Sequence, residues 1–450
     1  MSVTSCIQIL RIQLEHILAK PKKSSFIKNV LVVMTGTALA QILSYAVSPI
    51  ISRLFSPSDF GVFGSFNAVL TIIAAGLTLD YSMAIMLPKQ KGDAINLFML
   101  SCISSVIIGG FCLVACLFAP NFIKNFMKAP SAWILVLLVI AILTNGLNQA
   151  SQAWCIRVKA FKHTSASQVI RSLSTNSTQV GLGYLKGGAG ALIFTTILGD
   201  MLATLNLAKV VFRDFRQVRQ NIRWSRIWQL AKDYRDFPLY SASRNVINSL
   251  SLGLPIFLLT HFYGIAVAGA YAFGIRILSM PMEFVLRALR QVLYQKACET
   301  YNEGGRLVPL YFKITGGLFA LALFPSLVLL IWAPQIFTWI FGAQWHTAGV
   351  FARSLILWLI FMFCNLPAVL FARIIRMQRK LFFFDLAVLA TRASVLIAGG
   401  LYLSASYTIM LFSLVGAIMN VIFIFIIGFA LMKKEGDTGL KEILIGLKEG

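Results

Sequence analysis

The chain has 450 residues, of which 58% are hydrophobic and only 12% are charged. Soluble globular domains carry about 45–50% apolar and about 25% charged residues, so this composition indicates an integral membrane protein. The formal charge of +24 lies mainly between the apolar runs. No soluble basic face with base-stacking aromatic residues is visible, so nucleic acid is excluded as a partner.

Apolar runs recur along the chain at the length of about 20 residues that a helix needs to cross a membrane. We predict twelve such helices, beginning near residues 29, 60, 94, 131, 164, 188, 237, 266, 308, 347, 380 and 406. The predicted fold is an all-α integral membrane protein. It comprises an amino-terminal segment (1–28), an N-lobe (29–212), a basic linker (213–236), a C-lobe (237–432) and a tail (433–450).

The positions of the basic residues predict the orientation of the chain. If the amino terminus is cytoplasmic, thirty of the forty lysines and arginines fall inside, four fall outside and six lie within spans. The positive-inside rule therefore places both termini in the cytoplasm. Residues 1–28 lack the pattern of a cleaved signal peptide, and we expect a surface helix there. In the linker, Trp224, Ile227, Trp228 and Ala231 have helical spacing, which predicts an amphipathic helix at the membrane interface.

The two halves of the chain share a series of features in the same order. The matches are Pro49 with Pro255, residues 61–63 with 269–271, 119–120 with 333–334, Arg157 with Arg373, and 181–185 with 399–403. Their offset rises steadily from 206 to 218, as small loop insertions would produce. Since each half has six spans, we predict a parallel repeat with a substrate path between the halves. The alternative is that any two sets of apolar helices look alike.

Charged residues inside spans are candidates for function, because burying a charge in hydrocarbon is costly. In the eighth span, Arg276, Glu283, Arg287 and Arg290 fall within about 60° of one another at the helical period. A charged stripe facing lipid would be unstable, so we expect it to face a water-filled cavity. The alternative for Glu283 and Arg287 is an ion pair within the helix.

Two other spans carry polar faces. These faces comprise Arg244, Asn248, Ser251 and Pro255 in the seventh span, and Thr37, Gln41, Ser44 and Ser48 in the first. We expect the three faces to meet in one shared cavity. One alternative is that their hydroxyl and amide groups only hydrogen-bond across packed helices. Another is that Asp80, Asp200 or Asp385 holds Arg276 in a structural ion pair.

The charge of these faces indicates an anionic ligand. A guanidinium group binds phosphate oxygens bidentately and stays protonated at physiological pH. The candidate substrate-binding residues are therefore Arg276, Arg244, Arg287, Arg290, Asn248 and Gln41. In the eleventh span, Asp385 and Arg392 lie two turns apart on one face, too far for a direct bond. We expect each of them to meet a partner on a neighbouring helix.

Several stretches resemble the oligosaccharide flippases of the polysaccharide transporter group, within the superfamily of multidrug and oligosaccharidyl-lipid exporters. They are residues 49–63 (PIISRLFSPSDFGVF), 81–89 (YSMAIMLPK), 269–272 (GAYA) and 291–297 (QVLYQKA). The resemblance covers nearly the whole chain. It implies a two-lobed transporter in the bacterial inner membrane, with a cationic central cavity lined by the first two helices of each lobe. The position before Tyr81, often basic in that family, is Asp80 here.

The resemblance implies that the protein flips undecaprenyl-pyrophosphate-linked repeat units of O-antigen, capsule or exopolysaccharide to the outer leaflet by alternating access. The implied partners are that lipid-linked glycan and the bilayer, with other polysaccharide assembly proteins as further candidates. No GxxxxGK[ST] sequence is present, so we expect an ion gradient to drive transport. The candidate coupling residues are Glu283, Asp385 and Asp80. The alternative for Glu283 is a permanently ionised structural role.

Two other functional classes stay open. An ion-coupled drug or small-molecule antiporter of the same superfamily would have a more acidic and aromatic cavity. A membrane enzyme would hold catalytic groups in a large outer loop, whereas the outer loops here carry only Asp59, His261 and His346 as acid–base groups. No HExxH, CxxC or nucleophile-elbow spacing is present. We therefore expect a transporter rather than an enzyme, with no metal and no cofactor.

Overall fold

The computed structural model describes residues 24–218, 221–302, 305–375 and 377–446. Within these ranges, twelve helices have 19 residues or more. They are α1 (Ser24–Leu54), α2 (Pro57–Gly76), α4 (Lys91–Phe118), α6 (Trp133–Arg157), α7 (Phe161–Tyr184), α8 (Gly188–Val218), α10 (Ser243–Tyr263), α11 (Ile265–Asn302), α12 (Leu307–Phe341), α13 (His346–Cys364), α15 (Gln378–Tyr402) and α16 (Ala405–Gly446). The shorter elements are α3 (Tyr81–Ala84), α5 (Pro120–Phe126), α9 (Trp224–Asp233), α14 (Leu366–Ile374), a π-helical turn (Phe237–Ala242) and a 3₁₀ turn (Ala343–Trp345).

The all-α prediction with twelve long helices is confirmed, and each helix begins within two turns of its predicted start. Ten helical segments in the described part of the chain are long and apolar enough to cross a membrane. The long helices outside that set are α1 and α7. Helix α7 is rich in serine, threonine and amide residues, and it packs between α1 and α8. Its polar side chains are therefore largely turned towards protein.

The two lobes repeat the same packing pattern, as the internal duplication predicts. In the N-lobe, formed by α1 to α8, α1 packs on α7, α7 packs on α8, and α6 packs on α2, α4 and α8. The corresponding helices pack in the C-lobe, formed by α10 to α16: α10 on α15, α15 on α16, and α13 on α11, α12 and α16. Both lobes therefore share one packing topology, and the even number of long helices in each lobe agrees with a parallel repeat.

The lobes meet mainly where α2 packs against α10 and α11. Two glycines permit this close approach, Gly61 on α2 and Gly269 on α11. A Cβ atom on Gly61 would overlap the carbonyl oxygen of Ile265, and one on Gly269 would overlap that of Pro57. The contact therefore depends on glycine at both matched positions, because backbone atoms cannot rotate out of the way as side chains can.

The turn from α1 into α2 has the sequence Ser-Pro-Ser-Asp at residues 56–59, which forms the amino-terminal cap of α2. Ser56 caps α2: its Oγ accepts a hydrogen bond from the Asp59 N–H at 3.2 Å, while the Ser56 N–H donates to Asp59 Oδ2 at 2.9 Å. Pro57 occupies the first turn, where no N–H is needed. This capping box fixes the direction in which α2 leaves the turn.

Around this turn the lobes are held together by packed aromatic rings and by hydrogen bonds from side chains to backbone carbonyl oxygens. Trp345 stacks on Phe273 at 3.9 Å and meets Phe60 edge-on at 5.1 Å between ring centroids. The Trp345 indole N–H also donates to the carbonyl oxygen of Ser52 at 2.8 Å. Ser52 in turn donates to the carbonyl oxygen of Phe341 at 3.1 Å. The side of the molecule that carries the α1–α2, α10–α11 and α12–α13 connections is therefore closed; we call it the closed end.

The linker between the lobes is tied to the N-lobe. On α9, Ile227 and Leu230 are buried, whereas Trp224 and Trp228 are each 68% exposed. Arg226 binds both carboxylate oxygens of Asp93 on α4 at 2.8 Å. The structure therefore contains the predicted amphipathic helix. Helices α8 and α16 also run beyond the predicted lobe ends, to Val218 and Gly446, because charged residues outside the apolar core do not terminate a helix.

Candidate functional site

A cavity of about 340 Å³ lies between the lobes next to the closed end. We call it the interlobe cavity; α2, α10 and α11 line it. Among the described residues, Arg276 is the one charged lining residue, and its guanidinium carbon lies 6.0 Å from the centroid of the Phe63 ring. Its polar neighbours in the lining are Asn67, Thr71, Ser249 and Ser279. A cation surrounded by amide and hydroxyl groups suits an anion attached to a polyol.

Tyr45 on α1 joins this charged region to the N-lobe. Its hydroxyl donates a hydrogen bond to the carbonyl oxygen of Ile277 at 2.9 Å, across the lobe interface. Ile277 directly follows Arg276 on α11, so this hydrogen bond lies next to the charged residue. Sequence reasoning missed this residue, because an isolated tyrosine in an apolar run carries no periodic signal.

A larger and mainly apolar groove of about 640 Å³ adjoins the interlobe cavity. We call it the apolar groove; α1, α11, α12 and α13 line it, with prolines from three of these helices. Pro49 leaves the carbonyl oxygen of Tyr45 without its helical N–H, and the Ser48 hydroxyl donates to that oxygen at 2.8 Å. Ile275 and Arg276 line the cavity while Ile277 and Leu278 line the groove, so the two spaces are neighbours along α11.

A third cavity, of about 390 Å³, lies inside the C-lobe and is called here the C-lobe cavity. It is lined by residues of α10, α11, α13, α14, α15 and α16. Arg244 donates through Nε to Asp385 Oδ2 at 2.8 Å, and the two side chains are 27% and 26% exposed. Asn248 and Arg290 line the same cavity. Asp385 thus meets a partner on a neighbouring helix, as its position predicts.

Arg392 lies at the inner wall of the C-lobe cavity and is only 6% exposed. Its guanidinium carbon lies 4.7 Å from the Trp358 ring centroid and 5.5 Å from that of Phe412. One terminal nitrogen donates to the hydroxyl of Ser251 on α10 at 3.1 Å. The expectation of a partner on a neighbouring helix is therefore confirmed for Arg392 as well.

The predicted single cavity is wrong, because the three polar faces point into different spaces. Arg276 lines the interlobe cavity, whereas Arg244, Asn248 and Arg290 line the C-lobe cavity. On α1, Ser44 turns towards the N-lobe interior, where it lies 3.1 Å from the Ser172 hydroxyl and 3.0 Å from the Asn176 amide nitrogen on α7. Ser48, on the same predicted face, lines the apolar groove. The cause is that α10 stands between the two cavities, with Leu252 touching both.

Other predicted site residues lie apart from Arg276. Gln41 on α1 is half-buried and lines none of the three cavities among the described residues. Glu283 is exposed, and the side chain of Arg287 lies outside what the structure describes. Asp80 has a left-handed backbone (φ 59°) between α2 and α3 and accepts a hydrogen bond from Ser241 in the π-helical turn.

The acids proposed as structural partners of Arg276 are engaged elsewhere. Asp200 on α8 is buried and pairs with Arg171 on α7 at 2.6 Å. Asp385 pairs with Arg244, and Asp80 binds Ser241. In the described part of the chain, therefore, none of the three carboxylates forms an ion pair with Arg276, and its charge faces the interlobe cavity.

The sequence matches the family described as "Polysaccharide biosynthesis protein" over residues 50–349, which is two thirds of the chain. No curated protein matches it. Among solved structures, "Lipid II flippase MurJ, inward closed conformation" is similar with a TM-score of 0.70 and 13% identity, covering 91% of this chain and 93% of that one.

Multidrug transporters share the same fold. "Inward-facing conformation of a multidrug resistance MATE family transporter of the MOP superfamily" is similar with a TM-score of 0.69 and 16% identity, over 87% of this chain and 96% of that one. The outward-facing structure of a transporter of the same description has a TM-score of 0.57 at 16% identity, over 93% and 98%. These similarities show that the chain shares the fold of these proteins. Its ten long apolar helices among the described residues are those of a multi-pass membrane protein.

Proposed function

Because the chain belongs to the polysaccharide biosynthesis protein family, we propose that it flips an undecaprenyl-pyrophosphate-linked oligosaccharide repeat unit across the bacterial inner membrane, from the cytoplasmic to the outer leaflet. The glycan is a precursor of O-antigen, capsule or exopolysaccharide. Both termini lie in the cytoplasm in this proposal, so the closed end faces outwards and the cavity loads from the cytoplasm.

The observation that carries the proposal is the pairing of a cationic cavity with an apolar groove. Arg276, the one charged residue among the described lining of the interlobe cavity, has no carboxylate partner among the described side chains. The apolar groove lies alongside on α11. A lipid-linked pyrophosphate glycan has the matching order of parts: an apolar chain, two phosphates and a polar sugar.

In this proposal each part of the substrate meets a different surface. The Arg276 guanidinium fork holds the pyrophosphate through charge-assisted hydrogen bonds. Asn67, Thr71 and Ser249 offer hydrogen bonds to sugar hydroxyls, while the isoprenoid chain stays in lipid beside the apolar groove. Opening the closed end while the other end closes would then expose the substrate to the outer leaflet, which is alternating access.

Ion coupling is a separate part of the proposal. Glu283 and Asp385 lie on long helices next to arginines, so their protonation would change the charge near a cavity. Asp80 is positioned differently, because it joins the end of α2 to the turn that precedes α10. Its proposed effect on coupling would act through that contact rather than through a cavity.

The proposal is tested by deleting the gene in its host and analysing surface glycans and extracted polyprenyl-pyrophosphate lipids by mass spectrometry. We expect loss of polymerised glycan and accumulation of single repeat units on lipid. Restoring the wild-type chain reverses both effects, whereas Arg276→Ala at equal membrane level does not. An unchanged glycan profile would contradict the proposal and favour an ion-coupled small-molecule antiporter.

A further inference from the structure

The C-lobe cavity has an unbalanced charge. Its described lining contains three arginines, Arg244, Arg290 and Arg392, and a single carboxylate, Asp385. Amide side chains supply further polar groups: Asn245, Asn248, Asn365 and Asn420. A cavity with this composition in the interior of a helical lobe favours an anion over a cation.

Arg392 is buried without a carboxylate in direct contact among the described side chains. Among the described side chains, no carboxylate forms an ion pair with it; its one hydrogen bond goes to Ser251. Its Nε is buried and has no acceptor. The ring faces of Trp358 and Phe412 hold the guanidinium in place but accept no N–H bond in its plane. Buried charged groups in folded proteins are normally paired or hydrogen-bonded, so an acceptor is missing here.

A second buried polar atom in the same lining lacks a partner. The amide nitrogen of Asn365 donates to Asn420 Oδ1 at 2.7 Å, and that hydrogen bond fixes the direction of the amide. Asn365 Oδ1 is then buried with no donor. A ligand that both accepts from a guanidinium and donates a proton, such as a monoprotonated phosphate, carries the two kinds of group that these atoms lack.

The ion pair between Arg244 and Asp385 shows what kind of group the cavity already accommodates. A carboxylate oxygen lies 2.8 Å from Arg244 Nε, and both side chains, which line the cavity, are about one quarter exposed. Asp385 also lies on α15, two turns from Arg392. An oxyanion in the cavity would meet the Arg244 guanidinium that Asp385 now binds, and Arg392 lines the same cavity.

We propose that the C-lobe cavity is a second oxyanion site, in which Arg244 and Arg392 bind a phosphate-type ligand and Asp385 takes its place on Arg244 when the site is empty. The volume of about 390 Å³ is sufficient for a phosphate group with its water shell. The site is separate from Arg276, so this inference does not depend on the glycan transport proposed above.

The test is direct binding of radiolabelled inorganic phosphate to the purified full chain in a neutral detergent. We expect saturable binding that Arg392→Gln weakens by roughly tenfold or more, since a charge-assisted hydrogen bond is lost. Asp385→Asn should strengthen it by a similar factor, because the internal competitor loses its charge. Gly316→Ala is the matched control and should leave phosphate affinity unchanged, since a Cβ there meets nothing within 4 Å.

A second arm identifies the source of the phosphate group. The same measurement is made in nanodiscs of zwitterionic lipid with and without anionic phospholipid. Competition by the anionic lipid indicates that a lipid headgroup reaches the site, whereas undiminished binding indicates a free phosphate; both results support the site.

The gain of affinity in Asp385→Asn protects the test from a folding artefact, because an unfolded variant cannot bind more tightly. Absence of saturable phosphate binding to both the wild type and Asp385→Asn would overturn the inference. Equal loss of binding in Arg276→Ala would also overturn it, because the phosphate would then sit in the interlobe cavity. Glycan export in the host is a separate readout, so failure here leaves the proposed function standing.

Discussion

Replacing Gly269 with alanine should shift the protein away from the arrangement in which the lobes touch at the closed end. The added Cβ would overlap the carbonyl oxygen of Pro57 and lie 2.7 Å from the backbone nitrogen of Gly61. Both are backbone atoms on the opposite lobe, so α2 and α11 must move apart. Overpacking of this kind costs about 1–3 kcal/mol. The cost exists only while the lobes touch, so the closed population should fall about 5- to 150-fold relative to the open one.

The shift can be measured by pulsed EPR distances between spin labels at Ser58→Cys on α2 and Thr347→Cys on α13. Both positions are exposed at the closed end, and the seven native cysteines are first replaced. We expect the short-distance population of the wild type to shrink in Gly269→Ala. Gly316→Ala is the matched control, because a Cβ there meets nothing within 4 Å. An unchanged distance distribution in folded Gly269→Ala would refute the assigned role of this glycine.

Three further changes test separate parts of the structure. Arg276→Lys should restore only part of the glycan export lost in Arg276→Ala, because lysine keeps the charge but not the bidentate fork. Full export by the alanine variant, at equal membrane level, would show that the cavity charge is dispensable. Tyr45→Phe removes the hydroxyl that donates a hydrogen bond to Ile277 across the lobes. We expect about 1 kcal/mol less stabilisation of the closed arrangement, measured by the same EPR distances. An unchanged distance distribution would mean that this hydrogen bond does not stabilise the closed arrangement. Ser56→Ala removes the cap of α2 and should lower the free energy of unfolding of the purified protein by about 1 kcal/mol. Thermal unfolding measures this change, and Ser58→Ala in the same turn is the control.

The helices and the repeat were predictable because the membrane imposes a simple rule on the sequence. A helix that crosses hydrocarbon needs about 20 residues, most of them apolar, so its ends are visible as changes in composition. Even the polar helix α7 was placed correctly, because charged residues and glycines bound it. The short elements α3, α5, α9 and α14 are too short to appear as separate apolar runs in the sequence. Of these, only the amphipathic α9 had a periodic signal.

The arrangement of the site was less predictable, because periodicity gives the direction of a side chain around its own helix only. It placed Arg244 and Arg276 on polar faces but could not show that α10 would separate them into two cavities. Gln41 shares a helix face with Ser44, and that face packs towards α7. Which helix faces which is decided by contacts such as those of Gly61 and Gly269, whose importance appears only when the lobes are brought together.

The partner of each buried charge was equally invisible in the sequence. Asp385 lies 141 residues from Arg244, and Arg392 finds its aromatic neighbours on α13 and α16. The sequence allows many ion pairs between intramembrane acids and bases. The packing of the helices brings together Arg171 with Asp200 and Arg244 with Asp385. This pairing leaves Arg276 facing the interlobe cavity, which is the basis of the proposed function.

The most direct test of the central claim is flipping of a purified lipid-linked oligosaccharide in proteoliposomes that contain only this protein. The glycan that becomes accessible to an impermeant glycosidase or lectin is followed over time, with an ion gradient imposed in either direction. We expect faster exposure than in protein-free liposomes, with the increase lost in Arg276→Ala and retained in Gly316→Ala. Exposure at the protein-free rate under every gradient, with folded protein in the membrane, would contradict the claim that this chain is a flippase for lipid-linked glycans.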